Sequence, residues 1–196
     1  MEKQSFAGTE YDLMTDQPIT PSDVLDFWWQ AGSAKWFAGG DKFDEHCRDR
    51  FLPSIHDAIS GRLDHWAESA AGSLALLLLL DQMTRNVFRG TPEAFSGDRK
   101  ALTIAEQAIA NGFDRAYPIV ERYFYYLPFM HAEDIAPQEK CVDLCRTRGD
   151  KEAYHYALIH LDVIRRFGRF PHRNKVLGRE TTAEEQAYLD DGGFSA

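Results

Sequence analysis

Along most of the chain, apolar residues recur at intervals of three and four, the spacing of one face of an α-helix. Thr20, Pro21 and Asp23 supply a capped start, after which Val24, Leu25 and Trp28 form the first such face. Asp41 and Asp44 open a second helix, in which Phe43, Cys47, Phe51, Ile55 and Ile59 recur every four residues. Gly61 supplies its stop, and Pro53 is expected to kink it or split it in two. Ser73–Leu80 departs from the pattern. It is apolar all round and holds no β-branched residue, which predicts a buried central helix and not a strand.

A fourth helix is expected over Phe95–Asn111, carried by Leu102, Ala105, Ala108 and Ile109 and ended by Gly112. An aromatic piece over Tyr117–Tyr126 breaks at Pro128. Pro137 starts a sixth helix that takes Cys141, Leu144 and Cys145 to Gly149, and Ala157, Leu158, Leu161 and Ile164 mark a seventh. Thr182 and Glu185 form the capping box of a short last helix, Thr182–Tyr188. No segment reads as a sheet. The pattern predicts an all-α, single-domain helical array of about eight helices over residues 20–196, behind a flexible tail over residues 1–19. That tail is polar and acidic, without the basic start and apolar run of a signal peptide.

Composition narrows the partners more than it alters the fold. A chain of 196 residues, 44% hydrophobic, closes a sizeable core as one domain. A net charge of −9 repels nucleic acid and anionic membranes alike, and argues against both as partners. The longest apolar run, Leu74–Leu80, falls far short of the roughly 20 residues that span a bilayer. The three cysteines, Cys47, Cys141 and Cys145, have neither disulfide-framework nor zinc-knuckle spacing, which fits a reducing cytoplasm. Cys141 and Cys145 share a helix face and read as small buried thiols.

Three segments carry polar residues where a plain amphipathic helix would not. In Leu80–Gly90, Asp81, Arg85 and Arg89 lie four apart and continue directly out of the most apolar helix. They read either as ion pairs on a solvated face or as the wall of a cleft. In Phe124–Asp134, His131, Glu133 and Asp134 follow an aromatic stretch; they could serve as acid and base or as metal ligands. The plainer reading gives Asp134 a capping role and His131 a backbone carbonyl. Between Val163 and Arg179 stand Arg165, Arg166, Arg169, Arg173, Lys175 and Arg179, with His172 and not one acid. Gly168 and Pro171 interrupt the helix there, and arginine forks at such a turn suit a carboxylate or phosphate. The alternative is an ion-pair network with the surplus acids, Asp81 and Glu133 among them. Phosphate-loop, dinucleotide, zinc-helix and serine-elbow signatures are missing, and no cofactor is indicated.

With these segments in view, the chain resembles the bacterial domain-of-unknown-function family 924. The resemblance rests on VLDFWW at Val24–Trp29, WFAGGDKFDEHCRDRF at Trp36–Phe51, LLLLLDQMTRNVFRGTPEAF at Leu76–Phe95, FYYLPFMHAED at Phe124–Asp134 and RRFGRFPHRNKVLGRETTAEE at Arg165–Glu185. It implies an all-helical fold similar to tetratricopeptide-repeat proteins and no settled activity. Two departures stand out: Met83-Thr84 where the family has Phe-Pro, and Ala132 where it has Ser.

The residues lead to a helical binding domain whose cleft holds a small anionic group, free or presented by an acidic peptide. Arg85, Arg89, Arg166, Arg169, Arg173 and Asn174 are the expected ligand contacts, with Phe124, Tyr125 and Phe170 as walls. A rival reading is an enzyme in the same cleft, with His131 or His172 as general base and Glu133 or Asp81 orienting it. A protein-interaction module with a concave face is a third, and a metal at His131, Glu133 and His172 the last. All depend on the three segments meeting in space.

Overall fold

The capping signals at Thr20 and Asp23 operate as hydrogen bonds: the Asp23 N–H donates to Thr20 Oγ1 at 3.3 Å, and the Thr20 N–H donates to Asp23 Oδ2 at 2.9 Å. They start α1 (Pro21–Ala31), which α2 (Ser33–Trp36) and α3 (Asp41–Ser60) follow. The computed structural model describes residues 18–37 and 40–195, so most of the expected tail lies outside the described residues. Among the described residues every regular element is helical. Pro53 does not split α3, which runs unbroken to a left-handed Gly61 (φ 93°). Pro53 and Asp49, whose carbonyl loses its helical partner to the proline, are both exposed residues. Asp44 does not cap α3 either; its carboxylate is taken by Asn86 and Arg89.

The centre is one rod, α4 (Ala70–Leu77), a π-helical turn (Leu78–Met83) and α5 (Thr84–Val87). Every residue from Leu74 to Leu80 is at most 1% exposed. A rod that is apolar all round has no face to offer water, so α1, α3 and α6 (Asp98–Ala110) enclose it. The wide π turn lets burial continue past the last leucine, through Asp81, Gln82, Met83 and Thr84. Thr84 donates its hydroxyl to the Leu80 carbonyl at 2.8 Å, and the helix continues through it.

Downstream the pieces are shorter than the periodicity suggests. Phe95 belongs to a 3₁₀ turn (Pro92–Phe95), and α6 begins only at Asp98, after Gly97 has packed against the Leu80 carbonyl. The aromatic stretch divides into α7 (Ile119–Arg122), a 3₁₀ turn (Tyr123–Tyr125) and α8 (Leu127–Met130). Pro128 does not end a helix; it lies in the first turn of α8, where its missing N–H costs nothing. Pro137 likewise falls inside the first turn of α9 (Ile135–Arg148), whose cap is Asp134, accepting from the Ala136 N–H at 3.0 Å. Gly149 and Asp150 turn the chain into α10 (Lys151–Phe167), which packs along α9. A 3₁₀ turn (Pro171–Arg173) and α11 (Ala183–Asp190) close the fold, α11 with the Thr182–Glu185 capping box intact.

Candidate functional site

The π turn delivers a carboxylate into a place built for leucine. Asp81 is 1% exposed, and three side chains converge on it. His131 Nδ1 stands 2.8 and 3.0 Å from its two oxygens, Gln82 Nε2 donates at 2.5 Å, and Arg85 Nη1 lies 3.3 Å away. Burial alone would raise the Asp81 carboxyl, but Arg85, His131 and Gln82 overcome it and hold the group well below the ordinary carboxylate range. An ionised Asp81 accepts the Nδ1–H of a neutral His131. Burial, helped by Arg85, lowers the His131 pKa against the opposing pull of Asp81. The tautomer is thereby fixed, and Nε2, which has no partner among the described residues, is left as an acceptor.

A second acid joins this group from α6. Asp98 meets Arg85 at 3.0 Å and Arg173 at 3.5 Å, and Arg173 donates to the His131 carbonyl at 3.2 Å. The Arg173 guanidinium is 4.5 Å from the Phe170 ring centroid and 4.7 Å from that of Phe95. Burial raises the Asp98 carboxyl, an effect Arg85 opposes. Burial and the neighbouring Arg85 bring Arg173 down to about 10.

Gln82, Arg85, His131 and Arg173 line a cleft of about 880 Å³, with Asp81 and Asp98 behind them. The aromatic and apolar residues Trp36, Phe37, Tyr123, Phe124, Leu127 and Met130 line it on one side, and His160, His172 and Phe194 on another. Burial lowers His160 to about 3, and burial with Arg173 lowers His172 to about 4, so both line the cleft uncharged near neutrality.

The three polar segments do meet, but only part of each reaches the cleft. Arg85, Arg89, His131, His172, Arg173 and Phe124 line it, and Asp81 lies beneath His131. Arg89 reaches it already paired with Asp44, at 2.7 and 3.1 Å. Arg169 does not line it: its fork grips Glu185 at 2.6 and 2.8 Å and the Glu180 carbonyl at 2.8 Å, tying α11 to the preceding turn. Glu133 holds Arg179 at 2.6 and 3.0 Å and accepts the Phe170 N–H at 2.8 Å, so neither of its oxygens is left for His131 or a metal. Asn174, fully buried, bridges Arg179 and Glu185. Arg166 lies on the outer surface over Phe167 and Tyr188. Tyr125 is sealed in the core, donating to the Ala70 carbonyl, and Phe170 lies wholly buried behind Arg173. The basic run is thus mostly the ion-pair network, with Arg173 as its branch into the cleft.

Asp98, Gln82 and His160 belong to the site without having been singled out. Asp98 reads as an ordinary acid in a first helical turn. His160 carried a signal, since it falls on the same stripe of α10 as Ala153, Ala157, Leu161 and Ile164. Among the described residues no three His, Cys, Asp or Glu side chains are placed to hold a metal, and no helix is long and apolar enough to cross a membrane.

The architecture defines a class, an all-α protein that encloses an apolar rod and opens a cleft where the rod turns polar. The chain belongs to the DUF924 family, described as a bacterial protein of unknown function, which it matches over residues 24–193. It is similar to a solved structure of a protein of unknown function, ATU0120, from Agrobacterium tumefaciens. The two are 48% identical, with a TM-score of 0.84 over 88% of this chain and 97% of that one. No curated protein matches.

Proposed function

We propose that the cleft binds a small organic anion, with the charged group seated against Arg173 and Arg85 beside His131. Arg173 carries this reading. It is 7% exposed; among the described residues its Nε has no partner, and the one acid it reaches, Asp98, is 3.5 Å away and shared with Arg85. A guanidinium offers five N–H donors in a fixed fork, and a buried one left this far from complete pairing is stabilised by an added carboxylate or phosphate. Burial and the neighbouring Arg85 lower the Arg173 pKa, and an anion beside the guanidinium would oppose both.

The test is thermal unfolding of the wild type and Arg173→Met, which keeps most of the side-chain volume, against inorganic phosphate, small carboxylates and acidic peptides. A ligand at 100 times its dissociation constant adds about 2.7 kcal/mol to the wild type. An equal shift in Arg173→Met refutes the assignment.

The His131–Asp81 pair favours a second reading, acid–base catalysis in the same cleft. A buried carboxylate that fixes Nδ1–H and leaves Nε2 as an acceptor is the arrangement a general base requires. Turnover of a bound acid derivative that is lost in His131→Gln while binding persists supports it; binding without turnover across a broad panel counts against it.

A further inference from the structure

The cleft joins a cluster of charged side chains to an apolar wall that continues out to exposed residues. Arg85, Arg173 and His131 line one part of it, backed by Asp81 and Asp98, and its exposed lining carries Phe37, Ile119, Val120 and Tyr156 beside Arg89, Asp150 and Glu152. Among the described residues, the exposed large hydrophobic ones are Phe37 (63%), Val120 (55%), Ile119 (46%), Tyr156 (42%), Leu158 and Ile135. The first four all line this one cleft, and the other two lie elsewhere as isolated side chains of the kind any surface carries. Phe37 is not a stray ring. It stacks on Phe124, with centroids 6.1 Å apart and planes 11° apart, and meets the edge of Tyr123 at 6.4 Å, so the aromatic wall continues from the interior out to the surface.

Size points the same way. A cleft of about 880 Å³ is in the range of pockets that enclose an extended organic molecule, roughly 300–1,000 Å³. A phosphate or acetate ion at Arg173 would leave most of that volume to water lying against Trp36, Phe37, Ile119 and Val120, which is the arrangement the hydrophobic effect disfavours.

We infer that the ligand is an amphiphilic acid, whose anionic head sits on Arg85 and Arg173 and whose apolar tail runs along the Trp36–Phe124 wall to the exposed Phe37 and Val120. This rests on the anion reading above and adds the tail to it. Head and tail then each meet their own chemistry, and the exposed apolar residues are covered by the ligand.

Isothermal titration of the whole chain with butanoate, hexanoate and octanoate, each below its micellar concentration, separates the two halves, with octanol as the uncharged control. At about 0.8 kcal/mol per buried methylene, Kd should fall roughly fourfold for each CH2 added. Octanol should bind more weakly than octanoate, and the uncharged Val120→Asn should flatten the chain-length dependence between hexanoate and octanoate. Equal affinity for butanoate and octanoate overturns the tail and leaves the anion site standing. Octanol binding as tightly as octanoate removes the anionic head, and the amphiphilic acid with it. No binding by any member overturns both readings.

Discussion

Replacing Asp81 by Asn tests the central claim of the site, that a buried carboxylate at the π turn is kept ionised by its neighbours. The substitution changes almost no volume and removes one charge. His131 keeps one acceptor oxygen of two, Gln82 loses its 2.5 Å contact with Oδ2, and Arg85 keeps Asp98 and the backbone carbonyl of residue 81. Breaking a buried ion pair by removing one partner costs about 3–5 kcal/mol; because Asp98 still faces Arg85, the lower end applies, about 3 kcal/mol at pH 7. For a chain of this size that is a fall in Tm of about 6–12 °C. The pH dependence separates charge from shape. Asp81 titrates well below its unfolded value when folded, so its contribution is full above about pH 4 and is lost as the pH falls further. Urea unfolding of wild type and Asp81→Asn at pH 7 and pH 3 should therefore show a gap that narrows in acid. A gap below about 1 kcal/mol at pH 7, or one of equal size at both pH values, refutes the reasoning.

Arg169→Ala should lower Tm, by releasing Glu185 and loosening α11, yet leave carboxylate affinity in the cleft unchanged; a loss of affinity measured by calorimetry would return Arg169 to the site. Gly97→Ala should cost about 1–3 kcal/mol in chemical denaturation, because a Cβ there overlaps the Leu80 carbonyl; a neutral result would mean that the rod and α6 can separate without cost. His160 and His172, lowered to about 3 and 4, stay neutral in the fold while an unfolded chain protonates them below about pH 6.5. Stability should therefore fall as the pH drops from about 6.5 toward 4, by up to about 1.4 kcal/mol per pH unit for each histidine. A His160→Asn, His172→Asn double variant with the same slope would assign the effect elsewhere.

Much of this protein was legible without a structure where the signal is local. A capping box spans three residues, and both Thr20–Asp23 and Thr182–Glu185 form as their spacing implies. The same holds for the stops at Gly61 and Gly168, which need only a left-handed backbone, and for Leu74–Leu80, whose polarity leaves no exposed face. The reversal of charge after Val163 was equally plain, but not where each guanidinium would go. Arg179 finds Glu133 from 46 positions away and Arg89 finds Asp44 from 45, while Arg169 is claimed by a carboxylate on the next helix. Position along the chain does not rank such partners, because ion pairs are chosen by whichever opposite charge packing brings near. The same limit hid the π turn and the joining of Asp81 to His131 across 50 residues. Sequence determined the helical class, the caps at Thr20 and Thr182, the stops at Gly61 and Gly168 and the central rod, whose hydrogen bonds and polarity are set within a few residues. Only the tertiary structure decided which of many arginines reached the cleft and which carboxylate waited there, since desolvation makes a buried charge depend on everything packed around it.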